Sequence, residues 1–265
     1  MKRVIYVALM ALIALSFISC DGLDKLLSVN LFDAPLKLSA GQLSSASLSE
    51  LNALSEDPDF FTELSADPTL QATAIANLEG VIASGTPAEV QNASLLAAEI
   101  TIYTTQAGTL VNTVVGALMG LAGSDDAPTQ AQIVDSIIPP SLRNGDGSIN
   151  EDEFVKAVDA LIASAWYYEQ LGASLGSGNY IDGENAGEII QNAVISMLLK
   201  AIEPPSHDPP YSVGTYLLAV IAGTENPVDN VFSMPELGSD PPSPLDNILS
   251  LSPELKQLFS AMGGA

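Results

Sequence analysis

Residues 172–176 read Gly-Ala-Ser-Leu-Gly, which satisfies the G-x-S-x-G pattern around the nucleophilic serine of many hydrolases. Asp182 and His207 follow in the order serine, acid, base, so the chemistry would be ester hydrolysis by Ser174. The pattern requires a strand before the serine, whereas residues 166–171 are predicted to be helical. A small serine that packs between helices is therefore favoured. A serine hydrolase using Ser174 is the enzymatic alternative.

Oxygen-bearing side chains alternate through residues 144–153. The stretch resembles the calcium loop of EF-hand and dockerin-like proteins, with a glycine at loop position 6 and an apolar residue at position 8. The resemblance implies five ligands: Asn144, Asp146, Ser148 through its carbonyl, Asn150 through a water, and Glu153 as a bidentate carboxylate. Leu142 stands at position 1 in place of Asp, which predicts weak binding in the millimolar range. The alternative is a turn followed by a capping box from Asn150 to Glu153, without metal.

Cys20 is the only cysteine among the 265 residues. Lys2 and Arg3 precede an apolar run over residues 4–18, which is too short to span a membrane and is typical of a secretory signal. Residues 14–20 read Ala-Leu-Ser-Phe-Ile-Ser-Cys and resemble the lipobox of bacterial lipoproteins in its looser, spirochaete-like form. The resemblance implies cleavage before Cys20 and lipid attachment to its thiol. A lone cysteine forms no internal disulfide, which favours lipidation over an ordinary cleaved signal.

Removal of the signal would take Lys2 and Arg3 with it. The remaining chain would then contain six basic and 32 acidic residues, and the formal net charge would change from −24 to −26. Such a surface repels nucleic acid and anionic lipid headgroups, so no nucleic-acid partner is expected. The lipobox implies a location in the cell envelope. The anchor would hold the protein at the periplasmic face of the inner or outer membrane, or at the cell surface.

Trp166, Tyr167 and Tyr168 form the densest aromatic cluster in the chain. Three consecutive side chains on a helix cannot all face the core, because successive side chains point about 100° apart around the helix axis. We therefore expect at least one of them to be exposed and available to a ligand or partner. Ordinary packing against a neighbouring helix is the alternative.

The composition favours an all-α fold. Apolar residues make up 47% of the chain and fall in periodic segments, whereas aromatics are only 6% and alternation typical of strands is scarce. We predict four parts: a signal peptide over 1–19, a lipidated tether over 20–48, a helical body over 49–202, and a proline-rich linker with C-terminal helices over 203–265.

Local signals place the helices of the body. Asp67 and Pro68 predict a helix start, and residues 86–89 read Thr-Pro-Ala-Glu, a capping box that starts the next helix after a short turn. Two antiparallel helices should follow from so short a connection. Residues 107–120 are strongly apolar, but the run is too short for a membrane span and predicts a buried core helix.

The chain also matches itself at an offset of 80 residues, which predicts a duplicated array of helical hairpins over about 69–122 and 149–202. The matching positions include Asn112, Val114 and Leu118 with Asn192, Val194 and Leu198. The units differ where the Gly-Thr-Pro of residues 85–87 is replaced by Ala-Trp-Tyr at 165–167. The second unit is therefore predicted to continue as one longer helix.

These features favour a membrane-anchored envelope lipoprotein that acts by binding, without catalysis. It would serve as a helical scaffold or as an accessory to a transporter, by analogy with helical-repeat lipoproteins that assist solute transport. The expected partners are the membrane, through Cys20, and an unidentified protein or small molecule. Calcium is the only cofactor that the sequence predicts, and calcium binding through residues 144–153 is the second functional hypothesis.

Overall fold

The structure is a computed structural model that describes residues 37–122, 136–181, 186–206, 211–225 and 240–253, together with residue 256. Ten α-helices lie in this part of the chain, and it contains no β-strand beyond one isolated bridge between Arg143 and Ile149. The helices are α1 (Ala40–Ser45), α2 (Leu48–Ser55), α3 (Phe60–Ala66), α4 (Pro68–Ser84), α5 (Pro87–Tyr103), α6 (Ala107–Ala122), α7 (Glu151–Leu175), α8 (Ala186–Lys200), α9 (Val213–Ile221) and α10 (Pro244–Leu249). The predicted all-α fold is confirmed.

Among the described residues, α1 already packs on the helical body, within the 20–48 segment that we predicted as a tether. Leu43 of α1 is fully buried in the common core. The Asn77 amide of α4 donates to the carbonyls of Leu43 and Ala46, at 2.7 and 2.8 Å. These bonds satisfy carbonyls that a helix end leaves without intrahelical partners. A short helix with one large apolar residue is therefore held in place by α4.

The starts of α4 and α5 form as predicted. The Asp67 carboxylate accepts from the backbone of Thr69, with Pro68 in the first helical turn. Thr86 and Glu89 make both halves of a capping box, because each side chain bonds the other residue's backbone N–H. The short turn lets α4 and α5 pack against each other.

Helix α7 is the centre of the fold, since it contacts α5, α6, α8, α9 and α10. It runs without interruption through residues 165–167, as predicted for the second unit. That unit therefore contains no hairpin equivalent to α4 and α5, because one continuous helix replaces both. The internal duplication stays a prediction.

Two contacts fix the elements that follow α7. The buried Gln91 side chain of α5 donates to the Gly178 carbonyl at 2.6 Å and accepts from the Tyr180 N–H at 2.9 Å. At the other end of α8, Lys200 forms a salt bridge with Glu169 of α7 at 2.7 Å. Both ends of the connection from α7 through α8 are thereby tied to the body.

Helix α10 docks on the last turns of α7, where the Asn247 amide donates to the Gly172 carbonyl. Leu245, Ile248 and Leu249 are buried. Across the described residues, no helix combines the length and the apolar character that a membrane crossing demands. Helix α6, the strongly apolar segment, has 16 residues.

Candidate binding surface on the central helix

The three adjacent aromatics of α7 meet different surroundings. Tyr168 is 1% exposed and Tyr167 is 7% exposed, whereas Trp166 is 41% exposed. The expected exposure of at least one of them is confirmed, and Trp166 is the exposed one. Its ring packs edge-to-face on Tyr167, with the centroids 5.0 Å apart and the planes 75° apart. Contact of these residues with a partner stays a prediction.

Tyr167 holds this arrangement by joining α7 to α4. Its hydroxyl donates to the carboxylate of Glu79 at 3.0 Å. Burial raises the pKa of Tyr167, and the negative charge of Glu79 raises it further, so the phenol stays a neutral donor. Trp166 therefore packs on a ring that is held by the backbone of α7 at one end and by Glu79 at the other.

A polar cluster lies inside the bundle where α5, α7 and α8 meet. The Tyr103 hydroxyl donates to the carboxylate of Glu188, and the Asn192 amide lies within hydrogen-bonding reach of Tyr103 and Tyr168. Burial raises the pKa of both tyrosines well above the ordinary value, and the nearby Glu188 and Glu99 charges add to this effect. The cluster links three helices through neutral phenols.

Nothing in the sequence indicated this cluster. Glu188 is half-buried, because α8 packs with this residue turned toward α5. Tyr103 and Glu188 are 85 positions apart, so no local pattern connects them.

Three of the five predicted calcium ligands, Asn144, Asp146 and Ser148, lie in one exposed loop, where several of their polar atoms are hydrogen-bonded to one another. The Asn144 amide donates to the Ser148 hydroxyl at 3.0 Å. Ser148 donates to one Asp146 oxygen from its hydroxyl at 2.6 Å and from its backbone at 3.0 Å, which lowers the pKa of Asp146. Gly147 has a φ of +86°, a left-handed conformation that suits glycine and closes the turn.

The last two predicted ligands, Asn150 and Glu153, lie at the start of α7. Asn150 caps the helix by accepting from the Glu153 N–H at 3.3 Å. The Glu153 carboxylate pairs with Lys156 at 2.7 Å, so the reciprocal half of the expected capping box does not form. Among the described residues, no group of three or more His, Cys, Asp or Glu side chains is placed to hold a metal ion.

Two neighbouring residues further shape this loop. Leu142, at the position where a calcium loop carries Asp, is fully buried in the core. The Arg143 guanidinium donates to the Gly147 carbonyl at 3.1 Å and so places a positive charge beside the loop. The loop is thus closed by its own hydrogen bonds, and calcium would have to compete with them. Calcium binding stays a prediction.

Ser174 lies in the last turn of α7, where its hydroxyl donates to the Leu171 carbonyl at 2.8 Å. The strand that a nucleophile elbow requires is replaced by helix, and Asp182 and His207 lie outside the described residues. Gly172, the first glycine of the pattern, has a packing role. A Cβ at this position would lie 2.2 Å from the Pro244 carbonyl oxygen of α10. Ser94, which matches Ser174 at the offset of 80, is fully buried between helices.

Cys20 also lies outside the described residues, so its lipidation stays a prediction. Comparison of the chain with protein-family models, with curated proteins and with solved structures finds no match.

Proposed function

We propose that the protein is a lipid-anchored envelope protein that acts by binding, with the surface around Trp166 as its contact site. One observation carries the proposal: a tryptophan that is 41% exposed stands on the central helix of the body. Tryptophan is among the residues that contribute most to binding energy at interfaces. Anchoring at Cys20 would keep this surface at the envelope.

The residues one turn away from Trp166 suit a contact surface. Ile162 and Gln170 are half-buried and Ala163 is exposed, at spacings of three or four positions on the same helix face. Glu169 beside them is held by Lys200. The result is a small apolar patch with a charged edge, as in the centre and rim of protein interfaces. Because Trp166 rests on a fixed tyrosine, little side-chain entropy would be lost on binding.

Trp166→Ala should abolish partner binding while the fold survives. We expect recovery of the co-purifying partner from detergent-solubilised membranes to fall at least about tenfold, since interface tryptophans contribute about 2 kcal/mol or more. The matched control is Tyr180→Ala, which removes the other large exposed aromatic side chain of the described residues. Equal recovery with wild type and Trp166→Ala would contradict the proposal, provided that circular dichroism shows unchanged helix content.

Lipidation of Cys20 predicts loss of the anchor in Cys20→Ala. We expect radioactive fatty acid to label the wild-type protein and not the variant, and the variant to leave the membrane fraction. The lipid would be attached through a thioether bond to the Cys20 sulfur. Because serine has no thiol, Cys20→Ser should behave like Cys20→Ala. Labelling that persists in either variant would count against this assignment.

Calcium binding by residues 144–153 is the second candidate function. The observation in its favour is that one exposed turn brings the side chains of Asn144, Asp146 and Ser148 together. If calcium binds, the melting temperature should rise at several millimolar calcium relative to chelator, because a ligand of the folded state stabilises it. The rise should disappear in Asp146→Asn and persist in Asp59→Asn, a control in another exposed segment. An unchanged melting temperature in wild type would rule against this candidate.

A further inference from the structure

An open groove of about 500 Å³ lies between the 144–152 loop and helix α9, on a surface that the Trp166 proposal does not use. Asn144, Ser148 and the start of α7 form one wall. Leu218 and Ile221 of α9 form the other. Its volume lies in the range of sites that enclose a small ligand or a few side chains.

The α9 wall is apolar and only partly covered. No residue from 213 to 222 carries a charge. The first half of α9 is held on α7, where Gly214 and Tyr216 are buried and a Cβ on Gly214 would lie 3.0 Å from Val155 Cα. Residues 217–221 are all half-buried, so the second half leaves apolar surface on the groove. A helix of this composition normally buries more of its surface.

The opposite wall is acidic at its rim. Glu151 and Asp152 are both exposed and both line the groove. The nearby cations are engaged elsewhere, since Lys156 pairs with Glu153 and Arg143 bonds the Gly147 carbonyl. An apolar wall that faces two carboxylates is complementary to a segment with apolar side chains on one face and cations beside them.

We infer that this groove binds a basic amphipathic helix of another protein. Its apolar side chains would pack on Leu218 and Ile221, and its Lys or Arg side chains would approach Glu151 and Asp152. The charge disfavours two other occupants. A second copy of a chain with a net charge of −24 would bring like charges together, and an anionic lipid surface would be repelled by the same rim.

The test uses a fluorescein-labelled synthetic peptide of about 18 residues, five helical turns, with Leu on one face and Lys on the other. Its anisotropy is followed with the full-length protein in chelator, so that calcium does not contribute. The double substitution Glu151→Gln/Asp152→Asn removes both carboxylate charges from the groove and should weaken peptide binding about tenfold. Leu218→Ser should weaken it by a similar factor. The matched control is Glu56→Gln/Asp59→Asn, which removes the same charge from exposed positions elsewhere and should change the affinity less than about twofold. Ile221→Ser provides a second apolar variant should Leu218→Ser unfold.

Three outcomes would overturn the inference. Equal weakening by the control pair would show general attraction to an acidic surface. Equal affinity for a peptide with Glu in place of Lys would show that the carboxylates are not used. Leu218-dependent binding to vesicles of zwitterionic lipid, without peptide binding, would assign the groove to a membrane. Trp166→Ala should leave peptide affinity unchanged, so failure here and failure of the proposed function are separable.

Discussion

Gly172→Ala should destabilise the protein by about 2–3 kcal/mol, the cost of inserting an atom into a filled contact. The added Cβ would lie 2.2 Å from the Pro244 carbonyl oxygen and 2.8 Å from Pro244 Cα. These are backbone atoms, so α10 itself must move. The movement would also disturb the bond from the Asn247 amide to the Gly172 carbonyl, now 2.9 Å. Urea unfolding followed by circular dichroism measures the effect.

Gly80→Ala is the matched control. Gly80 lies inside helix α4, and a Cβ there would meet nothing within 4 Å. The same change should therefore stabilise the protein by about 0.5–1 kcal/mol, because glycine loses more backbone entropy in a helix than alanine does. Similar effects of the two substitutions would contradict the close approach of α10 to α7.

Raising the pH above about 10, the ordinary pKa of tyrosine, should destabilise the protein strongly. The pKa values of Tyr103, Tyr167 and Tyr168 are raised by burial and by neighbouring carboxylates. Below pH 10 all three phenols are protonated in the folded and unfolded chains. Above it the unfolded chain loses its phenolic protons first and is favoured. Each tyrosine then costs up to about 1.4 kcal/mol per pH unit, or about 4 kcal/mol together at one unit above.

Tyr103→Phe should reduce this alkaline loss of stability by roughly a third, because it removes one of three such phenols. The variant should be less stable at neutral pH, by about 1–2 kcal/mol, because the half-buried Glu188 loses a hydrogen-bond donor. The difference in the free energy of unfolding between the variant and the wild type should become smaller as the pH rises above 10. Tyr180→Phe, at an exposed ring, is the matched control. Unfolding curves at several pH values test this, and parallel losses in wild type and Tyr103→Phe would refute it.

The features that were predicted correctly from the sequence are determined by residues close together in the chain. The caps at Asp67 and Thr86 formed because donor and acceptor lie within three positions of each other. The continuous helix through residues 165–167 followed from the loss of the glycine and proline of the first unit. The exposure of one residue among Trp166, Tyr167 and Tyr168 followed from the rotation of the helix.

Contacts between distant elements were not predictable in the same way. Tyr103 meets Glu188 across 85 positions, and Asn247 meets Gly172 across 75. Nothing beside Glu188 in the chain distinguishes it from the many solvated acids. Gly172 fits a hydrolase pattern in the sequence, and its close packing against Pro244 is visible only in the structure. The packing of α1 on the body involves Asn77, more than 30 positions away.

The most direct test of the proposed binding function is photo-crosslinking in intact cells. A benzophenone amino acid would replace Trp166 in one strain and Tyr180 in another, so that the two large exposed aromatic positions are compared. We predict a discrete adduct with a partner from position 166, and none of the same mass from position 180. Identical adduct patterns from both positions, or no adduct from position 166, would contradict a contact surface at Trp166.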